Sequence, residues 1–226
     1  MAEELEKAGD AVQNGLGKVQ TYIDKNPKKV LGIGGGAVAL VAILLFVFMY
    51  YLPNQNEKAE KAIYMAEFEF AKDSFAVALN GRTTGTPFIG FAKVASDYGM
   101  TKTGKLANYY AGICCLNLKK YADAVSYLDK FSTSDPIIGA LHLSALGDAN
   151  SELGKLDDAI KNYEKAASFS ENESYTPYFL FKAGLANEKA KKNEEAKKLY
   201  EQVKEKYPTS DEGRDIEKYI ARVTAQ

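Results

Sequence analysis

Apolar residues follow two patterns along the 226-residue chain. From residue 30 to residue 52 they form an unbroken run that contains no charged side chain, Asn, Gln or His. From residue 56 onward they recur every three or four positions, which is the period of an amphipathic helix. No stretch alternates as a strand would. The pattern predicts an all-α protein, with a single N-terminal transmembrane helix followed by a series of amphipathic helices.

The apolar run at residues 30–52 is long enough to cross a bilayer. At about 1.5 Å of rise per helical residue, it spans about 35 Å. It is longer than the apolar part of a secretory signal, which has about 7 to 15 residues. No small-residue cleavage site follows it, because residues 49–52 are all bulky. We therefore predict a retained anchor rather than a cleaved signal, closed by Pro53 and Asn54.

Lysines flank this anchor unequally, with four shortly before it and two shortly after it: Lys18, Lys25, Lys28, Lys29, Lys58 and Lys61. The side that is richer in positive charge normally stays in the cytoplasm. We expect residues 1–29 to be cytoplasmic and residues 53–226 to lie on the other side of the membrane.

One feature within the anchor and one on its cytoplasmic side indicate contacts with a partner protein or with the membrane. Gly32, Gly35 and Gly36 would let a second transmembrane helix approach closely, although glycine is also a common filler of membrane helices. Residues 1–29 carry one apolar helix face, predicted to lie on the membrane or on a partner. That face comprises Leu5, Ala8, Val12, Leu16, Val19 and Ile23.

The region between the anchor and residue 103 predicts further helices. Apolar residues at a helical period predict one long helix over residues 56–79, followed by a loop over residues 80–87. A shorter helix over residues 88–98 would then end at Gly99. We interpret residues 53–103 as a degenerate, repeat-like unit.

A repeat occupies residues 104–208. Gly112, Gly147 and Gly184 are separated by 35 and 37 residues. Each glycine is followed twelve residues later by an alanine (Ala124, Ala159, Ala196) and sixteen later by a large residue (Leu128, Tyr163, Tyr200). This spacing resembles the tetratricopeptide repeat, which has Gly, Ala and a large residue at its eighth, twentieth and twenty-fourth positions. The resemblance implies three helix-turn-helix repeats that stack into a superhelix, with residues 209–226 as the helix that caps the last one.

The inner face of such a superhelix is the candidate binding surface. The resemblance places Leu106, Tyr109, Ile113, Leu116, Leu141, Tyr178, Phe181 and Leu185 on it. We predict a groove for apolar or extended polypeptide, while packing of these side chains against neighbouring helices is an equal alternative. The family's clamp for a C-terminal carboxylate uses Lys, Asn and Arg, and Tyr109, Ile113, Ser144 and Asp148 do not match it.

The sequence gives no sign of catalysis. Its net charge of −1 is not that of a nucleic-acid-binding protein. The sole histidine, His142, has no Cys at metal-ligand spacing and is expected to be partly buried. Cys114 and Cys115 are adjacent and are expected to be two buried thiols. We expect no enzyme, cofactor, metal or small-molecule substrate.

The whole layout resembles the YfgM family of single-pass bacterial inner-membrane proteins. The resemblance rests on the Asn-Pro-Lys-Lys lead into a Gly-rich anchor and on the segments TKTGKLANYYAGIC (101–114) and EKYPTS (205–210). It implies a periplasmic repeat domain and an ancillary role beside a SecYEG-like translocon and a PpiD-like chaperone, acting on emerging polypeptides. A scaffold for another envelope-assembly or secretion machine, or a docking platform for a separate enzyme, would share the same layout.

Overall fold

The computed structural model describes residues 13, 15, 17, 20–22, 24–169 and 171–225. They form two compact units, residues 1–54 and residues 55–226. The apolar face predicted for the N-terminal segment is carried by residues 5, 8, 12, 16, 19 and 23, and all six lie outside the described residues.

The first unit contains helix α1, Pro27–Phe46, and a π-helical turn, Val47–Tyr51. Among the described residues, one continuous helical stretch, Pro27–Phe70, is long and apolar enough to cross a membrane, and none of its apolar window is buried. Nothing lies within 4 Å of the positions that side chains would take at Gly32, Gly35 and Gly36.

The prediction that Pro53 closes the anchor helix is wrong, because helix α2 runs through it as Leu52–Phe70. A proline has no N–H to donate, and it is tolerated in the first turn of a helix, where that donor has no intrahelical partner. The π-helical turn directly precedes this point, and the Leu52 N–H donates to the Val47 carbonyl, five residues back. The change of hydrogen-bond register accommodates the proline.

The prediction of one helix over residues 56–79 is also wrong. Helix α2 ends at Phe70, and helix α3, Phe75–Asn80, begins after a turn. Asp73 in this turn has a φ of 58°, in the left-handed region that ends helices. The Phe70 and Phe75 rings meet edge to face at 5.5 Å, so both apolar residues join one core although the helix has stopped between them.

The same turn recurs in every repeat. The left-handed residues Lys119, Gly154 and Lys191 lie seven positions after the three repeat glycines. In each turn, including the one at Asp73, the next residue donates its N–H to a carbonyl five positions back, at 2.8–3.0 Å. The turns therefore share a helix-ending hydrogen-bond motif.

This shared turn makes the region from α2 to residue 98 similar to a further helical hairpin. Ala66 and Ala78 are both fully buried and lie twelve residues apart, as the glycine and alanine of each repeat do. The second helix is interrupted by strands β1, Gly81–Arg82, and β2, Phe88–Ile89, which pair antiparallel. Helix α4, Phe91–Tyr98, then follows, so the helix predicted from residue 88 starts three residues later.

Forty-six residues separate Ala66 from Gly112, and ten of them, residues 81–90, form this insertion. The remaining thirty-six match the steps of 35 and 37 between the later repeats. Gly81 pairs with Ile89, so the chain leaves and returns at one point. Helices α3 and α4 both pack against the first helix of the next repeat. The insertion thus splits one helix without breaking the stack.

The three repeats that follow are helices α5 to α10, and helix α11 ends the stack. Their bounds are α5 Lys102–Asn117, α6 Tyr121–Leu128, α7 Pro136–Glu152, α8 Leu156–Phe169, α9 Thr176–Lys189, α10 Asn193–Lys206 and α11 Asp211–Thr224. Each helix packs on the next one along the chain. The second helices are amphipathic: in α8, Ala159, Ile160 and Tyr163 are buried, while Lys161 and Glu164 are exposed.

We expect Lys191→Gly to stabilise the protein by about 0.5–1 kcal/mol. A left-handed conformation costs an L-residue about 1–2 kcal/mol, and the larger entropy that glycine loses on folding offsets part of this gain. Urea unfolding of the two proteins measures the difference. Lys198→Gly, on an exposed position inside α10, is the control and should cost about 1 kcal/mol. A loss of stability in both variants would contradict the role assigned to the turn.

Candidate functional site

The inner faces of helices α5, α7 and α9 enclose a groove of about 440 Å³. Each of these is the first helix of its repeat, and each contributes side chains to the groove. The groove is lined by five of the eight side chains named from the sequence: Tyr109, Ile113, Leu116, Leu141 and Tyr178. These five converge on one surface, although they come from three separate helices.

The other three predicted residues do not line this groove. Leu106 is half-buried in the first turns of α5, and Leu185 is 36% exposed on α9. Phe181 packs edge to face against Tyr219 of helix α11, with ring centroids 4.7 Å apart. The C-terminal helix therefore packs on Phe181, which remains partly exposed.

The wall that α5 contributes to the groove is apolar. Tyr109, Ile113 and Leu116 pack on a small cluster made by Leu128, Ala145 and Leu146 at the junction of the first and second repeats. They remain half-buried, so part of each side chain still faces the groove. The Tyr109 ring lies 5.3 Å from that of Phe131, and burial raises the pKa of its hydroxyl. This wall is held in place by packing while it presents apolar surface.

The groove lining also contains an ion pair. The Lys182 ammonium on α9 lies 2.8 Å from both carboxylate oxygens of Asp148 on α7. The Tyr163 hydroxyl on α8 donates a hydrogen bond of 2.6 Å to the same carboxylate. The Lys182 ammonium also lies over the Tyr178 ring, 4.6 Å from its centroid. The pair connects the second and third repeats through charge, a hydrogen bond and a cation–π contact.

Burial and charge shift the pKa of Lys182 in opposite directions. Burial lowers the pKa of Lys182, but the nearby Asp148 carboxylate and its hydrogen bonds more than compensate, and the net shift is upward. The pKa of Tyr163 is raised, first by burial and then by the negative charge of Asp148. Lys182 therefore stays protonated and Tyr163 stays a hydrogen-bond donor at neutral pH.

The next junction repeats this arrangement. Arg222 on α11 pairs with Glu188 on α9 through two contacts, of 2.6 and 2.7 Å, and the Tyr200 hydroxyl donates to Glu188 at 3.1 Å. The acid and base of each pair are 34 residues apart, close to one repeat step. Our sequence analysis missed both pairs, although this spacing, with a tyrosine on the helix between them, was a usable signal.

The repeat-defining residues lie where the two helices of each repeat cross. A side chain at Gly112 would overlap Leu128, and side chains at Gly147 and Gly184 would overlap the rings of Tyr163 and Tyr200. The alanines of the second helices are fully buried; they are Ala124, Ala159 and Ala196. Small residues at these positions allow close approach of the helices, and the large residue fills the space that remains.

His142 and the two cysteines have structural positions. The His142 Nε2 atom lies 2.9 Å from the Leu128 carbonyl oxygen, its ring stands edge-on to Phe131, and burial lowers its pKa. Cys114 and Cys115 are free thiols buried in the core, as predicted. Within the part of the chain that the structure describes, no group of three or more His, Cys, Asp or Glu side chains is placed to hold a metal ion.

Two segments of the chain match family models described as tetratricopeptide repeat, at residues 143–173 and 178–210. These segments cover most of the second and third repeats recognised from the glycine spacing. No curated protein matches the chain. The protein therefore contains tetratricopeptide repeats, helical modules that stack into concave surfaces for binding other proteins.

Proposed function

We propose that this protein is a membrane-anchored adaptor whose repeat groove binds polypeptide outside the cytoplasm. Its place is beside a SecYEG-like translocon and a PpiD-like chaperone in a bacterial inner membrane, where it acts on emerging chains by binding alone. The proposal rests on the groove. Tyr178 is 39% exposed on its wall, and apolar side chains from three helices face one open surface. Such a surface favours an extended partner with apolar side chains.

The anchor and its flanking charges support the location. The span over residues 30–52 is apolar on every side, and side chains such as Ile43 and Phe48 are more than half exposed. The excess of lysine before it favours a cytoplasmic N-terminus. In this orientation the repeats lie in the periplasm, the compartment into which translocated chains emerge.

The glycine-bearing face of α1 is the proposed contact with a membrane-embedded partner. Gly32, Gly35 and Gly36 share one side of the helix and leave their surroundings open. Double substitution of Gly32 and Gly36 by leucine should reduce co-purification of membrane partners in mild detergent. Ala37→Leu, on the opposite side of the same helix, is the control and should leave it unchanged.

The partners recovered in this purification test the function itself. Translocon subunits together with a periplasmic chaperone would support the proposal, provided that the glycine variant loses them and the Ala37→Leu variant keeps them. Recovery of outer-membrane assembly or secretion components in their place would overturn the assignment to the translocon.

A further inference from the structure

The groove carries an unbalanced negative charge. Its charged lining residues are Asp148, Lys182 and Glu152. Asp148 and Lys182 neutralise each other at 2.8 Å, and the Tyr163 hydroxyl takes up further acceptor capacity of Asp148. Glu152 interacts with the Tyr121 hydroxyl, which also lines the groove, but takes part in none of the ion pairs found among the described residues. Glu152 is therefore the charge on this surface that a ligand is left to balance.

The backbone adds to this negative potential. Glu152 is the last residue of α7, and Asn117, which also lines the groove, is the last residue of α5. The C-terminal end of a helix carries partial negative charge on its unpaired carbonyl groups. Lys189 lies nearby, but its ammonium donates to the Ser151 carbonyl at 3.2 Å and makes no ion pair with Glu152 within 4 Å. Lys189 thus already compensates the end of α7, and the end of α5 together with the Glu152 carboxylate favours a further cation at this rim.

The apolar wall lies in the same groove. Tyr109, Ile113 and Leu141 line it together with Glu152. An extended chain places successive side chains about 3.3 Å apart along its length. One short segment can therefore put an apolar side chain on this wall and a basic side chain at the rim.

We propose that the groove selects extended polypeptide segments in which a lysine or arginine lies within a few residues of an apolar or aromatic side chain. This inference rests on the proposed function and adds the chemistry of its ligand. The apolar side chain packs on Tyr109, Ile113 and Leu141, and the cation pairs with Glu152. This polarity is the reverse of that in a clamp for a peptide carboxylate, which needs basic side chains at the inner face.

Fluorescence anisotropy with the full-length protein in detergent tests the selection. The probe is a labelled peptide, Ser-Gly-Leu-Phe-Ala-Lys-Gly-Ser, compared with the same peptide carrying Gln in place of Lys. An exposed ion pair contributes about 0.2–1 kcal/mol, so we expect the Lys peptide to bind up to about fivefold tighter. Glu152→Gln should remove this difference, and raised salt should reduce it. The control, Glu164→Gln, changes an exposed carboxylate on α8 and should retain it.

Two results overturn the inference, and they are distinguishable. Equal binding of both peptides, lowered by Tyr178→Ser but unaffected by Glu152→Gln, would leave the groove as the binding site and refute the charge selection. Failure of both peptides to bind, or binding that Tyr178→Ser leaves unchanged, would refute the groove as a polypeptide site, and the proposed function with it. Tyr178 and Glu152 are both exposed, so circular dichroism of either variant should match that of the wild type.

Discussion

A chain that ends after Ser210 should lose about 3–6 kcal/mol of unfolding free energy. Helix α11 would be missing, and it buries Ile216 completely and Val223 to 95% against the third repeat. Each buried aliphatic side chain contributes about 1.5–3 kcal/mol. The truncation would also expose Phe181 and leave Glu188 without its arginine partner. Urea unfolding of the full chain and the truncated chain in the same detergent measures the loss.

Point variants test whether the loss of unfolding free energy comes from the buried side chains of α11. Ile216→Ala should cost about 2–5 kcal/mol, because it leaves a cavity in a closed core. The control, Lys218→Ala, changes an exposed residue on the same helix and should change stability by less than about 0.5 kcal/mol. A truncated chain as stable as the full chain would show that the third repeat does not depend on α11.

Gly184→Val should destabilise the protein by about 1–3 kcal/mol, although valine has the higher helix propensity. A side chain at Gly184 would overlap the ring of Tyr200, which is fully buried. The helices of the third repeat must then separate or Tyr200 must leave its position. Thermal or urea unfolding checks the magnitude.

The neighbouring residue supplies the control for this substitution. Leu185→Val introduces the same side chain one position later, at a site that is 36% exposed, and should change stability by less than about 1 kcal/mol. A neutral or stabilising Gly184→Val would mean that the close crossing of α9 and α10 does not require glycine.

The repeats could be predicted from the sequence because their constraint is local and periodic. Gly147 and Ala159 must be small where two helices cross, and this requirement recurs at each repeat step. The break at Asp73 could not be seen in hydrophobic periodicity, since Phe70 and Phe75 are apolar on both sides of it. The twelve-residue spacing of Ala66 and Ala78 was the signal that could have revealed the additional hairpin.

The groove was predictable only in part. Repeat register placed Tyr109, Ile113 and Tyr178 correctly on one surface. Repeat register could not show that Tyr219 packs on Phe181, because the position of α11 depends on tertiary packing and not on a repeated motif. Lys182 was missed because its role depends on Asp148 of the preceding repeat.

Site-specific photo-crosslinking in intact cells tests the central claim that the groove binds polypeptide outside the cytoplasm. A photoreactive amino acid at Tyr178, on the groove wall, is compared with one at Lys161, which is exposed on the second helix α8. A secretory protein arrested during translocation provides the emerging chain. We predict a crosslink to this chain from position 178 and none from position 161. Equal crosslinking from both positions, or none from position 178, would contradict the proposed function.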